Sequence, residues 1–176
     1  MNDQLGRSTP GSTVPTKPVK AFQDHYPEEL SHCFGCGSNN PYGHQLKSYW
    51  DGESTIARFT PKPYHTAIPG YVYGGLIASL IDCHATGTAA AAAYRAEGRA
   101  PGSEPPLRFV TASIKVDYLA PTPIDEELLL RAEILETGPR KVVMEIALSA
   151  GGKPCARGQV VAVKMPENML PGEVGP

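Results

Sequence analysis

A chain of 176 residues, 41% hydrophobic and 19% charged, has enough apolar material for one packed core, which excludes wholesale disorder. With 16 Lys and Arg against 18 Asp and Glu the net charge is -2, so no basic excess is available to neutralise a nucleic-acid backbone. Four cysteines, of which only Cys33 and Cys36 are close together, make no disulfide framework, and no apolar run follows the first charges, so a reduced, cytoplasmic protein without a secretory leader is expected.

Residues 1–24 are polar and carry Pro10, Pro15 and Pro18, a composition too poor in apolar side chains to offset the entropy of ordering, so they are expected to form a flexible arm. One domain is expected over residues 25–166, with a tail at 167–176. Within it, residues 27–30 suit a short helical turn, and the loop CFGCGSNNPYG follows. Residues 45–50 and 54–60 read as two strands joined at Asp51-Gly52, a favoured hairpin turn. After the turn-rich PKPYHTAIPGYVYGG, one helix is expected over residues 75–95. Leu76, Ile77, Leu80 and Ile81 give it an apolar face, and its second half, ATGTAAAAA, is thin enough to be enclosed. Asp82 and His84 interrupt this apolar stretch, so no membrane span is expected. Strand patterns occupy residues 107–119, 127–135, 141–150 and 154–165, separated by APTPID, ETGPRK and AGGK. The short connections predict that these four strands are consecutive antiparallel neighbours. The fold class is therefore α+β, with an antiparallel sheet of about six strands wrapped around one long central helix.

Four segments have a familiar order: HCFGCGSNNPYGHQLK, HTAIPGYVYGGLIASLID, FVTASIKVDYLAPTPI and GPRK. Together they resemble the hotdog-fold acyl-CoA thioesterases of the phenylacetate-pathway and thioesterase-superfamily-member branches. The helix signature of those branches, His-Gly-Gly with an Asp eight residues after the first Gly, falls on Tyr73, Gly74, Gly75 and Asp82. Tyr73 thus replaces the usual His. Ala67 stands where some branches place an Asn, whereas Pro69-Gly70 fits the branch that lacks it.

The resemblance implies hydrolysis of an acyl-CoA thioester with no metal or organic cofactor, in a homo-oligomer that is a dimer or a dimer of dimers. Nucleic acid and membrane are not expected partners. It assigns Asp82 as the base that activates water, or as the nucleophile. Gly74 supplies an oxyanion contact through its backbone N–H, which suits the dipole at a helix N-terminus, with Gly75 beside it. Thr111 either orients the reacting groups or is an ordinary half-buried strand threonine. Arg140 and Lys141 either contact the phosphates of coenzyme A or are surface charges on a turn. Tyr73 either donates its hydroxyl into the site or packs there. Because Tyr73 replaces a histidine, a non-catalytic acyl-CoA-binding protein is the competing expectation.

Spacing adds a constraint on assembly. Asp82 lies eight residues beyond Gly74, about 12 Å along a helix axis, too far for both to address one carbonyl. Two antiparallel helices side by side would bring Gly74 of one chain to Asp82 of the other. His84, about 200° around the helix from Asp82, is not expected to pair with it. The Cys33-x-x-Cys36 pair, with His32 and His44 nearby, has half of a zinc pattern, but no second CxxC or HxxxH appears. Cys83 is expected inside the helix and Cys155 on a strand, so the pair reads as a tight turn without a metal.

Overall fold

The structure, a computed structural model, describes residues 20–169. Most of the expected arm and tail therefore lies outside the described residues. Ala21 and Phe22, assigned to the arm, are buried instead, and Phe22 meets Trp50 edge-on at 5.5 Å. The ordered fold begins earlier than the polar composition of the N-terminal segment implied, because these two side chains have an apolar wall to pack on.

Strands β1 (Ser48–Asp51) and β2 (Ser54–Phe59) form the first hairpin, with Gly52 at φ 65° in its turn. The helix α1 follows over Gly74–Ala96. Its alanine-rich second half has the highest intrinsic helix propensity. It stops at Gly98, which takes φ 62°, while Gly98 N–H bonds Arg95 O and Arg99 N–H bonds Tyr94 O, the pairing of a Schellman cap. Strands β3 (Phe109–Tyr118), β4 (Leu128–Thr137), β5 (Lys141–Ala150) and β6 (Lys153–Lys164) complete the fold. Gly151 and Gly152, both at positive φ, make the two-residue turn between β5 and β6.

All six strands form one antiparallel sheet in the order β1-β2-β4-β5-β6-β3. The expectation that β3 neighbours β4 is overturned. Pro121 and Pro123 lack the N–H groups a hairpin ladder needs, and the connection pairs elsewhere. Val72 N–H bonds Thr122 O, Ile124 N–H bonds Gly70 O, and Tyr71 bridges to Pro123. This crossover delivers β3 to the far edge, against β6, and lets β2 pair with β4.

The sheet wraps the helix. Leu128, Leu130, Val142, Met144, Ile146, Leu148 and Val160 bury one sheet face against Leu76, Leu80 and Ile81. On β6 the approach is so close that a Cβ at Gly158 would lie 2.5 Å from Ile81 Cγ2. Although α1 is long and apolar enough to cross a membrane, 78% of its most apolar window is buried inside the protein. Its polar exceptions on this side are Thr88 and His84, both fully buried, with His84 Nδ1 2.9 Å from Ser48 Oγ and Nε2 3.3 Å from Thr55 Oγ1. Gln23 and Thr88 extend the network. As the spacing indicated, His84 faces these hydroxyls and not Asp82.

Candidate active site

One strip of α1 escapes the sheet. Gly75, Ala78, Ser79, Asp82 and Thr86 follow the 3–4 spacing of a single helix face and are only partly buried, whereas their neighbours are enclosed. The carboxylate of Asp82 on this strip accepts a hydrogen bond from the hydroxyl of Thr111 on β3. A β-bulge makes this contact available. Thr111 pairs with Ala162 and Ser113 with the next residue, Val161, leaving Ala112 as the extra residue. Such bulges re-aim side chains at sheet edges.

At the start of the helix Tyr73 is the N-cap residue and its side chain makes no capping bond. Here the first N–H groups have no partner within the helix, and the dipole favours negative charge. The Tyr73 ring folds back over Gly75, so that a Cβ at that position would lie 2.0 Å from the Tyr73 hydroxyl. Gly74 is bracketed from the other side by Tyr118, whose hydroxyl donates to Gly74 O at 2.8 Å.

Beside this terminus lies a cavity of about 540 Å³. Tyr73, Gly75, Leu76 and Ser79 form its helical wall, and Phe34, Tyr42, His44, Phe59, Lys62, Tyr64 and His65 close it. The rings interlock: His44 sits 4.8 Å from Phe34, 5.6 Å from Phe59 and 5.4 Å from His65, centre to centre. Burial holds both imidazoles below the usual histidine range, aided by His65 beside His44 and by Lys62 beside His65. Sequence reasoning missed this wall. Its rings come from separate segments, the loop with Phe34, Tyr42 and His44, the end of β2 at Phe59 and the turn with Tyr64 and His65, and none of them alone shows that they meet.

Within one chain, Tyr73, Gly74 and Gly75 come together, and Asp82 and Thr111 come together. Asp82 is not part of the cavity wall. Arg140 and Lys141 are brought to neither group. Their hairpin lies against the other end of the helix, where Gly138 and Pro139 face Ala93 and Ala96 across a small cleft. Lys141 is engaged there by Glu136 at 3.1 Å, and Arg140 is exposed.

Cys83 corrects the sequence reading in another way. It lies inside the helix as expected, but it is not separate from the CxxC pair. Its Sγ is 3.7 Å from that of Cys33, and the thiols of Cys33, Cys36 and Cys83 lie within 4.8 Å of one another. Hydrogen bonds from the other two thiols hold Cys33 far below the usual thiol range, whereas Cys36 and Cys83 are pushed up as its donors and by burial.

A single long helix in a six-stranded antiparallel sheet, with a carboxylate on its open strip and glycines at its start, defines a hotdog-fold protein. The thioesterase superfamily model matches residues 69–156, half of the chain, and the chain belongs to that superfamily. It is 58% identical to a thioesterase superfamily protein from Shewanella loihica, covering 82% of this chain and all of that one, with a TM-score of 0.63. The PaaI protein of the Escherichia coli phenylacetic acid degradation operon shares the fold at 15% identity, covering 70% of this chain and 81% of that one, TM-score 0.56. A Streptococcus mutans protein solved with acetyl-CoA does so at 13%, covering 68% and 88%, TM-score 0.55. No curated protein matches the chain.

Proposed function

We propose that this protein hydrolyses acyl-CoA thioesters. The observation that carries the reading is the Asp82 carboxylate, held by the Thr111 hydroxyl on the open strip of a helix that begins Gly74-Gly75. Membership of the thioesterase superfamily and the acetyl-CoA held by the S. mutans protein support the substrate class.

In this mechanism the thioester carbonyl lies at the helix N-terminus. The Gly74 N–H and the dipole stabilise the oxyanion as it forms. Asp82 takes a proton from the attacking water, or attacks the carbonyl itself, and Thr111 fixes which carboxylate oxygen is presented. When water attacks, the tetrahedral intermediate collapses with loss of the coenzyme A thiolate, which takes up a proton, and leaves the carboxylic acid. When Asp82 attacks, the same loss leaves an acyl anhydride on Asp82, which a water then hydrolyses to the carboxylic acid and free Asp82. The cavity beside Gly75 takes the acyl group.

Both parts of this machinery cannot come from one helix, because eight residues separate Gly74 from Asp82 by about 12 Å. The proposed unit is a two-fold dimer in which each helix N-terminus meets the partner's Asp82. Two features suit it. The strip containing Asp82 is open, and β3 is a ten-residue edge strand whose residues 112–115 are exposed, including Ile114. An unpaired edge of this length is a template for a second strand. The same arrangement leaves Arg140 and Lys141 as candidate contacts for coenzyme A phosphates across the dimer.

A panel of acyl-CoAs, with release of free coenzyme A followed chromatographically, tests the reading. Turnover by the wild type that is lost in Asp82→Asn supports it. Saturable acyl-CoA binding without turnover of any member would instead establish a binding protein, the outcome that Tyr73 in place of histidine favours.

A further inference from the structure

Two loop cysteines and one helix cysteine, fifty residues apart in sequence, converge on a point one residue from Asp82. Cys33 is exposed, and Cys36 and Cys83 are buried. Their sulfurs all lie within 4.8 Å of one another, with Cys33 and Cys83 at 3.7 Å. A disulfide needs about 2.05 Å between its sulfurs. A tetrahedral ion with metal–sulfur bonds of about 2.3 Å places its sulfur ligands about 3.8 Å apart, close to the 3.7 Å between Cys33 and Cys83.

The loop is built for this approach. A Cβ at Gly35 would lie 2.1 Å from Cys83 Sγ, so only glycine lets the turn settle onto the helix at that sulfur. A Cβ at Gly37 would lie 2.4 Å from Ser31 O and 2.5 Å from Cys33 N, and Gly37 N–H donates to Cys33 O at 2.8 Å. The resulting tight turn points the sulfurs at positions i and i+3 the same way. Two further bonds, His44 N–H to Phe34 O and Leu46 N–H to Gly35 O, tie the returning chain to it. Cys155, buried on β6, is not part of the cluster.

From this convergence we propose that Cys33, Cys36 and Cys83 form a binding site for a thiophilic closed-shell metal ion, zinc(II) or copper(I). Three thiolates are soft ligands that select such ions over magnesium or calcium. Binding puts three sulfur–metal bonds in place of whatever protons the three sulfurs still hold and releases those protons to solvent. The exposed side of Cys33 leaves a fourth position for water when the ion is zinc. The ion would staple the loop that supplies Phe34, Tyr42, Gly43 and His44 of the cavity wall to the helix at the residue after Asp82. The proposal concerns metal binding and stands apart from the thioesterase reading, so its test reads metal and not turnover.

The reduced full-length protein is titrated anaerobically with cobalt(II), then with zinc(II). The expected result is one cobalt per chain with the intense visible bands of tetrahedral thiolate coordination, displaced stoichiometrically by zinc. A parallel titration with copper(I) against a chromophoric chelator decides which of the two ions is held more tightly. Cys33→Ser, at an exposed position, and Cys83→Ser should each weaken zinc binding by more than about 100-fold, beyond the 10–100-fold typical of losing a group that merely supports a ligand. Cys155→Ser should bind as the wild type does. The proposal is overturned if the reduced wild type shows no thiolate–cobalt bands and holds neither zinc nor copper, or if Cys33→Ser, folded by circular dichroism, binds zinc as tightly as the wild type.

Discussion

The two halves of α1 differ more than their shared helical backbone suggests. The C-terminal half is a packing element: Thr88 through Tyr94 are all buried, and five consecutive alanines let strands close in. The N-terminal half sends Leu76, Ile77, Leu80 and Ile81 into the core but keeps an open strip on which Gly75, Ser79 and Asp82 are only partly buried. In one half the size of each side chain decides stability. On the open strip of the other, chemical identity matters more than volume. Substitutions in the two halves should therefore separate stability from activity.

Asp82→Asn should give the largest effect on turnover, roughly a hundredfold or more in kcat, with little change in thermal midpoint. In the packed half the signature should invert. Ala89→Leu inserts three carbons into a fully enclosed position and should cost about 1–3 kcal/mol by denaturant titration, while kcat per folded molecule stays near wild type. A loss of folding in Asp82→Asn equal to that in Ala89→Leu would erase the distinction.

Thr111→Val tests the same contrast from the sheet side. Removing the hydroxyl that donates to Asp82 should lower kcat about tenfold, the kinetic equivalent of about 1.5 kcal/mol for a hydrogen bond to a charged group. KM should change far less. Equal effects on both would make Thr111 a packing residue.

His84 separates the halves by pH. Burial pushes its pKa down to about 4 from the ordinary 6.5, so the folded protein keeps it neutral where the unfolded chain takes up a proton. Its contribution to stability is complete above pH 6.5 and is lost as pH falls toward about 4, with a limiting slope of about 1.4 kcal/mol per pH unit. His84→Gln should flatten that segment of the stability profile, measured by urea titration at a series of pH values. An unchanged slope in the variant would remove His84 as its source.

Much of this fold was legible in the sequence. Period-2 runs and Gly-rich turns located the strands, and the Gly-Gly start and alanine run located the helix, because those signals are local. The position of β3 was not legible: its crossover depends on Thr122, Pro123 and Ile124 pairing with residues 70–72, a long-range event. The same limit applies to the site. Asp82 stood out as a carboxylate in an apolar helix, but the aim of Thr111 depends on a bulge at Ala112. The cavity rings and the meeting of Cys83 with Cys33 depend on loops folding over the helix. A distant thiol leaves no spacing to read, although the glycines flanking Cys36 were a visible sign of close backbone approach.

The central claim is that each site joins the helix N-terminus of one protomer to the Asp82 of another. Subunit exchange between Asp82→Asn and Gly74→Val, two variants inactive alone, tests it directly. A Cβ at Gly74 already touches the Tyr118 ring at 3.4 Å, so valine displaces the proposed oxyanion contact while Asp82 stays intact. The account predicts that verified heterodimers recover one working site, about half the activity of a wild-type dimer. Heterodimers that stay inactive, although both parent variants are folded and dimeric, would contradict it.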